Sequence, residues 1–139
     1  MKRLILTAIM MMIAAGSTVA ADRPISNRQL PKRAQTFIQD YWPNVATVST
    51  EKTGATYEVV MDEGSTLIFN AKGYWISIEN AFGFPNHFLP ERIGLFIHSR
   101  YPDSYIAAVS RHQEGYTVVL NTGLTLHYDR DGNIERVDD

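Results

Sequence analysis

Chemistry in this chain would have to begin with its four histidines, His87, His98, His112 and His127. Imidazole is the side chain whose ordinary pKa lies nearest neutral pH. A catalytic centre also needs a nucleophile and an orienting group, or a metal. The sequence holds no Cys, so a thiol nucleophile and a Cys-based zinc site are excluded. No His-Glu-x-x-His, no Gly-x-Ser-x-Gly and no phosphate-cradling glycine loop occurs. His98 falls on a predicted helix, His112 and His127 on predicted strands with another strand between them, and His87 in a connector. They read as surface or half-buried histidines, and no catalytic residue, metal ligand or cofactor is assigned.

A cation is the second chemistry to consider. Asp129-Arg130-Asp131-Gly132-Asn133-Ile134-Glu135 has the look of an acidic calcium loop. An EF-hand loop places oxygens at positions 1, 3 and 5, glycine at 6 and a bidentate Glu at 12. Here glycine comes fourth. The matching segment earlier in the chain, Asn70-Ala71-Lys72-Gly73, carries Lys where this one carries Asp131. A β-turn explains the glycine in both without a metal, so calcium is kept only as an alternative partner.

The elements that position these residues begin after an export signal. Lys2 and Arg3 precede the uncharged apolar run Leu4 to Ala15, which is shorter than the ~20 residues that span a bilayer, and Gly16 to Ala21 is a small-residue cleavage region. Residues 1–21 are therefore read as a signal peptide cut after Ala20 or Ala21, and the mature protein as periplasmic or secreted with no membrane span. The formal net charge of −2 becomes about −4 without Lys2 and Arg3. No basic run or stripe is present, which argues against a nucleic-acid partner. Residues 22–139 make one ordinary domain that needs no disulfide staple.

That domain repeats itself. Residues 30–79 laid over 89–138 without a gap give identity at 13 of 50 pairs, against roughly three for unrelated sequences. The matches fall on apolar anchors, prolines and turn glycines. Each copy opens with a helix: Ala34, Phe37, Ile38 and Tyr41 form one stripe, and Ile93, Phe96, Ile97 and Tyr101 repeat it. Pro31 and Pro90 suit the helix starts, and Pro43 and Pro102 end them. Four antiparallel strands follow in each copy, cut by glycines.

Register follows from turn chemistry. A three-residue loop at Asp62-Glu63-Gly64 sets Val59 opposite Leu67 and Tyr57 opposite Phe69, whereas a two-residue loop would put the strand faces out of agreement. Asn121-Thr122-Gly123 likewise sets Val118 opposite Leu126 and Tyr116 opposite Tyr128. The helices then cover Tyr57, Val59, Met61, Leu67, Phe69, Tyr116, Val118, Leu120, Leu126 and Tyr128. Glu58, Val60, Thr66, Ile68, Thr117, Val119, Thr125 and His127 point the other way, on a face that no further segment covers. The three-residue steps Trp75 to Ile78 and Ile134 to Val137 predict bulges in the fourth strands. In the connector 80–88, Phe82, Phe84 and Phe88 are expected to pack across the junction of the halves, an exposed patch being the alternative.

The pattern of Leu-Pro, a helix ending Tyr-Trp-Pro or Arg-Tyr-Pro, Tyr-Glu-Val or Tyr-Thr-Val, an Asp/Asn-x-Gly turn and Leu-x-Phe/Tyr resembles the PepSY-like family of small periplasmic proteins. The resemblance covers residues 30–138 twice. It implies an α+β fold of two tandem helix-plus-four-strand repeats, forming one long antiparallel sheet with both helices on one face, as in beta-lactamase-inhibitor-like proteins. It implies binding or inhibition of a secreted enzyme, such as a peptidase, and in some members a calcium response. Val60, Ile68 and Val119 among Glu58, Thr117 and His127 on the uncovered face are the expected contact residues for a protein or peptide of the cell envelope; a small ligand is the other possibility.

Overall fold

A computed structural model of the chain describes residues 23–139, so the signal-peptide reading of residues 1–21 lies outside the described part. The described residues divide into two compact units, 23–78 and 79–139. The boundary falls at the end of a strand and not within the connector. Nine strands and two α-helices are described, an α+β composition.

The first unit contains β1 (Arg23–Pro24), a short 3-10 turn (Asn27–Gln29), α1 (Lys32–Tyr41), β2 (Thr47–Thr53), β3 (Thr56–Met61), β4 (Thr66–Phe69) and β5 (Trp75–Glu79), whose last residue is counted with the second unit. Its strands lie in chain order. Pro31 stands just ahead of α1 and its carbonyl accepts the N–H of Ala34 and of Gln35. Ala34 and Ile38 are buried, and Phe37 meets Phe69 edge-on at 5.9 Å between ring centres. The hairpin register is the predicted one: Tyr57 opposes Phe69 and Val59 opposes Leu67. The N–H of Gly64 donates to the Met61 carbonyl and closes the three-residue loop.

The second unit contains α2 (Glu91–Arg100), β6 (Ile106–His112), β7 (Gly115–Leu120), β8 (Thr125–Asp129) and β9 (Ile134–Asp138), again with strands in chain order. Ile93 and Ile97 are the buried residues of α2, and Phe96 meets Tyr128 at 6.0 Å, nearly perpendicular. Val118 opposes Leu126 and Tyr116 opposes Tyr128, as the turn chemistry predicts. Ile134 opposes Tyr128 and Arg136 opposes His127, so Glu135 is the extra residue of the expected bulge.

Many contacts recur 59 positions on. β2 is irregular between Thr47 and Ser49, and β6 between Ile106 and Ala108. Asn70 Oδ1 accepts the N–H of Lys72 and Tyr74; Asp129 Oδ1 accepts that of Asp131 and Asn133. Gly73 and Gly132 sit at φ +89° and +88° against the helix starts, where a Cβ would lie 2.8 Å from Pro31 Cβ and 2.9 Å from Pro90 Cβ. Only glycine supplies both the left-handed backbone and that clearance.

Two expectations are corrected. β1, too short to carry a hydrophobic pattern, adds a strand to the predicted four in the first unit. Phe82 does not pack into the protein: it is 89% exposed.

Candidate partner-binding face

Side chains alternate along a strand, so those not beneath the helix line the opposite face of each unit. In the first unit the opposed sets are Ser49, Val60 and Thr66, and next to them Glu51, Glu58 and Ile68. In the second they are Ala108, Val119, Thr125 and Asp138, and then Ser110, Thr117, His127 and Arg136. Each unit therefore brings its own sequence-predicted residues together: Glu58 with Val60 and Ile68, and Thr117 with Val119 and His127.

Accessibility divides them. Glu58, Val60, Thr117 and His127 are partly exposed. Val119 is 0% and Ile68 6% exposed, which overturns the expectation that these two offer apolar surface to a partner. Val119 sits on β7 between Ala108 and Thr125, both buried as well, so its surroundings are interior in character. What remains to be touched is chiefly polar.

In the second unit that polar row is tied together. Asp138 Oδ2 lies 2.9 Å from His127 Nε2, and Arg136 Nε donates to both carboxylate oxygens, at 3.2 and 3.1 Å. Arg136 Nη2 also approaches His127 Nε2, at 3.2 Å. One ring nitrogen cannot both donate and accept, so with His127 Nε2–H donating to the Asp138 carboxylate, Arg136 Nη2 is a neighbour of the imidazole and not its hydrogen-bond donor. Burial pulls the Asp138 carboxyl up, but the hydrogen bonds and charges of His127 and Arg136 outweigh it and hold the group below its ordinary range.

At the other end of the row, His112 Nδ1 lies 2.9 Å from Glu114 Oε2 and His112 Nε2 lies 3.0 Å from Thr117 Oγ1. The hydrogen bond from His112 is the main reason the Glu114 carboxyl sits below its usual value. Hydroxyl, imidazole and carboxylate in this order follow the logic of an activated nucleophile. Acyl transfer further needs free donors aimed at the developing oxyanion. β7 is paired on both sides, which commits its backbone N–H groups to the ladders, and Glu114 is 80% exposed to water. The arrangement fixes Thr117 and His112 in place. Sequence reading missed this set, although His112-x-Glu114 at a turn with Thr117 three residues on was its visible signal.

The Asp129 carboxylate serves the turn itself, accepting the N–H groups of Asp131 and Asn133. Asp129 is held below the ordinary carboxylate range chiefly by the backbone N–H of Asn133, with further hydrogen bonds outweighing a smaller opposing effect of burial. Among the described residues no group of three or more His, Asp or Glu side chains is placed to hold a metal ion. Beneath α2, the Tyr128 hydroxyl is buried without a hydrogen-bond partner. Burial, and then Tyr101, push its pKa up.

The family described as "Putative beta-lactamase-inhibitor-like, PepSY-like" matches residues 55–136, more than half of the chain, and the chain belongs to that family. A crystal structure of a "putative periplasmic protein" of the DUF2874 family from Bacteroides vulgatus is similar at 28% identity and TM-score 0.77, covering 86% of this chain and 98% of that one. A "putative calcium-regulated periplasmic protein" from Bacteroides thetaiotaomicron is similar at 25% identity and TM-score 0.79, covering 85% and 97%. A further Bacteroides vulgatus structure, at 23% identity and TM-score 0.77, covers 86% and 100% and shares the fold. No curated protein matches the chain. Among the described residues no helix is long and apolar enough to cross a membrane.

Proposed function

We propose that this chain is a non-catalytic binding protein of the periplasm, built from two tandem copies of one helix-plus-four-strand module. It docks an exported protein or peptide on the strand face that the helices leave open, and inhibition of a secreted enzyme such as a peptidase is the form of action its family suggests. The observation that carries this reading is the row Ser110, Thr117, His127 and Arg136, in which His112 contacts the Thr117 side chain and Asp138 those of His127 and Arg136. A pre-ordered polar row loses little entropy when a partner arrives. Glu58 and Val60 are the accessible residues of the corresponding face in the first unit. The recurrence of turn, helix-start and ring contacts 59 residues apart supports the tandem reading.

Affinity capture from a periplasmic extract tests the docking idea. Thr117→Arg and Val60→Lys change partly exposed positions, so each is expected to keep the melting temperature within about 2 °C. Each is also expected to reduce the captured partner at least tenfold. Capture at wild-type level by both variants refutes docking on this face.

A calcium-responsive protein is the second reading, favoured by the description of the Bacteroides thetaiotaomicron relative. A cation that binds only the folded state stabilises it by mass action. A rise in melting temperature in millimolar calcium, absent in magnesium, is its signature.

A further inference from the structure

The first unit holds a groove of about 520 Å³ between its 3-10 turn, α1 and the start of β2. That size is within the roughly 300–1,000 Å³ of small-molecule sites. Leu30, Ile38 and Trp42, all buried, make its floor apolar. Four of its lining side chains are amides, Asn27, Gln35, Gln39 and Asn44, and Arg28 is its one charged residue. The corresponding groove of the second unit has one amide, Asn86. There Gly94 stands where Gln35 stands in the first unit, and Ile106 where Thr47 stands. The amides are therefore not a product of the shared fold.

Two of the amides are locked from behind. Gln35 Nε2 donates to the carbonyls of Leu30 and Arg28, at 2.8 and 3.2 Å, which leaves its Oε1 as an acceptor. Asn27 Nδ2 donates to Thr47 Oγ1 at 2.9 Å, and its Oδ1 accepts the Thr50 hydroxyl. The turn that carries Asn27 and Arg28 is closed by the Ser26 N–H on Gln29 Oε1, at 2.9 Å. Polar groups fixed in this way lose little entropy when a ligand arrives. Arg28, Gln39 and Asn44 are exposed. Asn44 has φ +66°, the one left-handed backbone at a non-glycine among the described residues. Glycine takes that backbone at less cost, so chain geometry alone does not call for an amide there.

We propose that this groove binds a small sugar acid, a hydroxyl-rich ring that carries one carboxylate. A sugar hydroxyl both donates and accepts, and an amide presents a donor and an acceptor side by side, so a rim of amides matches neighbouring hydroxyls. The C–H face of the ring rests on the floor of Leu30, Ile38 and Trp42. Arg28 supplies the guanidinium fork that a carboxylate takes in two parallel hydrogen bonds. Among the described residues no Asp or Glu lines the groove. A cationic ligand finds no counter-charge there, and an anionic one meets no repulsion. The groove is lined from α1 and not from the face of Glu58 and Val60, so it stands or falls separately from the docking face.

Calorimetric titration of the purified protein with D-glucuronate, and with D-glucose as the neutral control, tests the proposal. For a single ring of this size a dissociation constant of about 1 mM or tighter is expected, with glucose at least about fivefold weaker. Arg28→Gln is expected to remove that preference. Asn44→Gly keeps the left-handed backbone, and Gln39→Ala places the best helix former at an exposed helical position. Each is expected to weaken glucuronate binding at least about threefold and to keep the melting temperature within about 2 °C or raise it. Thr117→Arg and Val60→Lys should bind glucuronate as the wild type does, and the NMR signal of the Trp42 indole N–H should shift on titration. No binding at about 20 mM glucuronate, glucose bound as tightly as glucuronate, or affinity unchanged in all three groove variants overturns the proposal.

Discussion

Residues 23–78 and 79–139 solve the same packing problem with nearly the same parts, and then present different chemistry to their surroundings. Beneath the helices the correspondence is close: Phe37 on Phe69 in one unit, Phe96 on Tyr128 in the other. On the opposite face one row is kept in part, Val60 and Thr66 recurring as Val119 and Thr125, and the next is not. Glu51, Glu58 and Ile68 form one row, and Ser110, Thr117 and His127 the other. The positions that seat a helix on a sheet are tightly constrained by volume and backbone shape. The outward positions are free to differ, and they are where the two units can take on separate roles.

The correspondence can be broken most forcefully at the turn glycines. Gly73→Ala and Gly132→Ala each place a Cβ against a helix start from a left-handed backbone. Each is expected to cost about 3 kcal/mol, measured by urea unfolding. A large loss at one glycine and none at the other would show that the two turns are not equivalent.

A smaller effect of opposite sign sharpens the ring comparison. The Tyr128 hydroxyl is buried with no partner, whereas Phe69 carries none to satisfy. Tyr128→Phe is expected to stabilise by about 1 kcal/mol, and Phe69→Tyr to destabilise by at least as much. A loss of stability in Tyr128→Phe would mean that the hydroxyl has a role with no counterpart at Phe69.

The smallest expected effect separates the charged turn from its neutral counterpart. Asp129 is depressed below its unfolded value of 3.8 by hydrogen bonds to its charged form. Its contribution is therefore present above that value and lost as pH falls through the lower, folded pKa. Asp129→Asn, which installs the side chain found at Asn70, should leave stability at neutral pH nearly unchanged. It should also remove a small acid-dependent loss below about pH 4, read as the urea midpoint against pH.

Turn chemistry and alternation carried the strand register and the helix stripes, because one side of each strand must be apolar and a one-residue slip would invert it. Exposure on the far side was not legible. Val60 and Val119 are the same residue at corresponding positions. The first lies between Ser49 and Thr66 and is partly exposed, the second between Ala108 and Thr125 and is buried. Neighbours from other strands decide that, and their sizes enter only once the ladder is assembled. The exposure of Phe82 was equally hidden, since three phenylalanines in a connector predict burial, while the turn that carries this one is bonded through its backbone to Asn80 and Tyr105.

The strand order within each unit has a kinetic consequence. Every strand whose pairing has been described bonds to the one just before or after it in the chain, so the loops closed at each step are short. Such low contact order lowers the entropic barrier that slows most all-β domains. Each unit can zip up hairpin by hairpin, and with no cysteine to pair, its assembly is indifferent to the redox state of its surroundings.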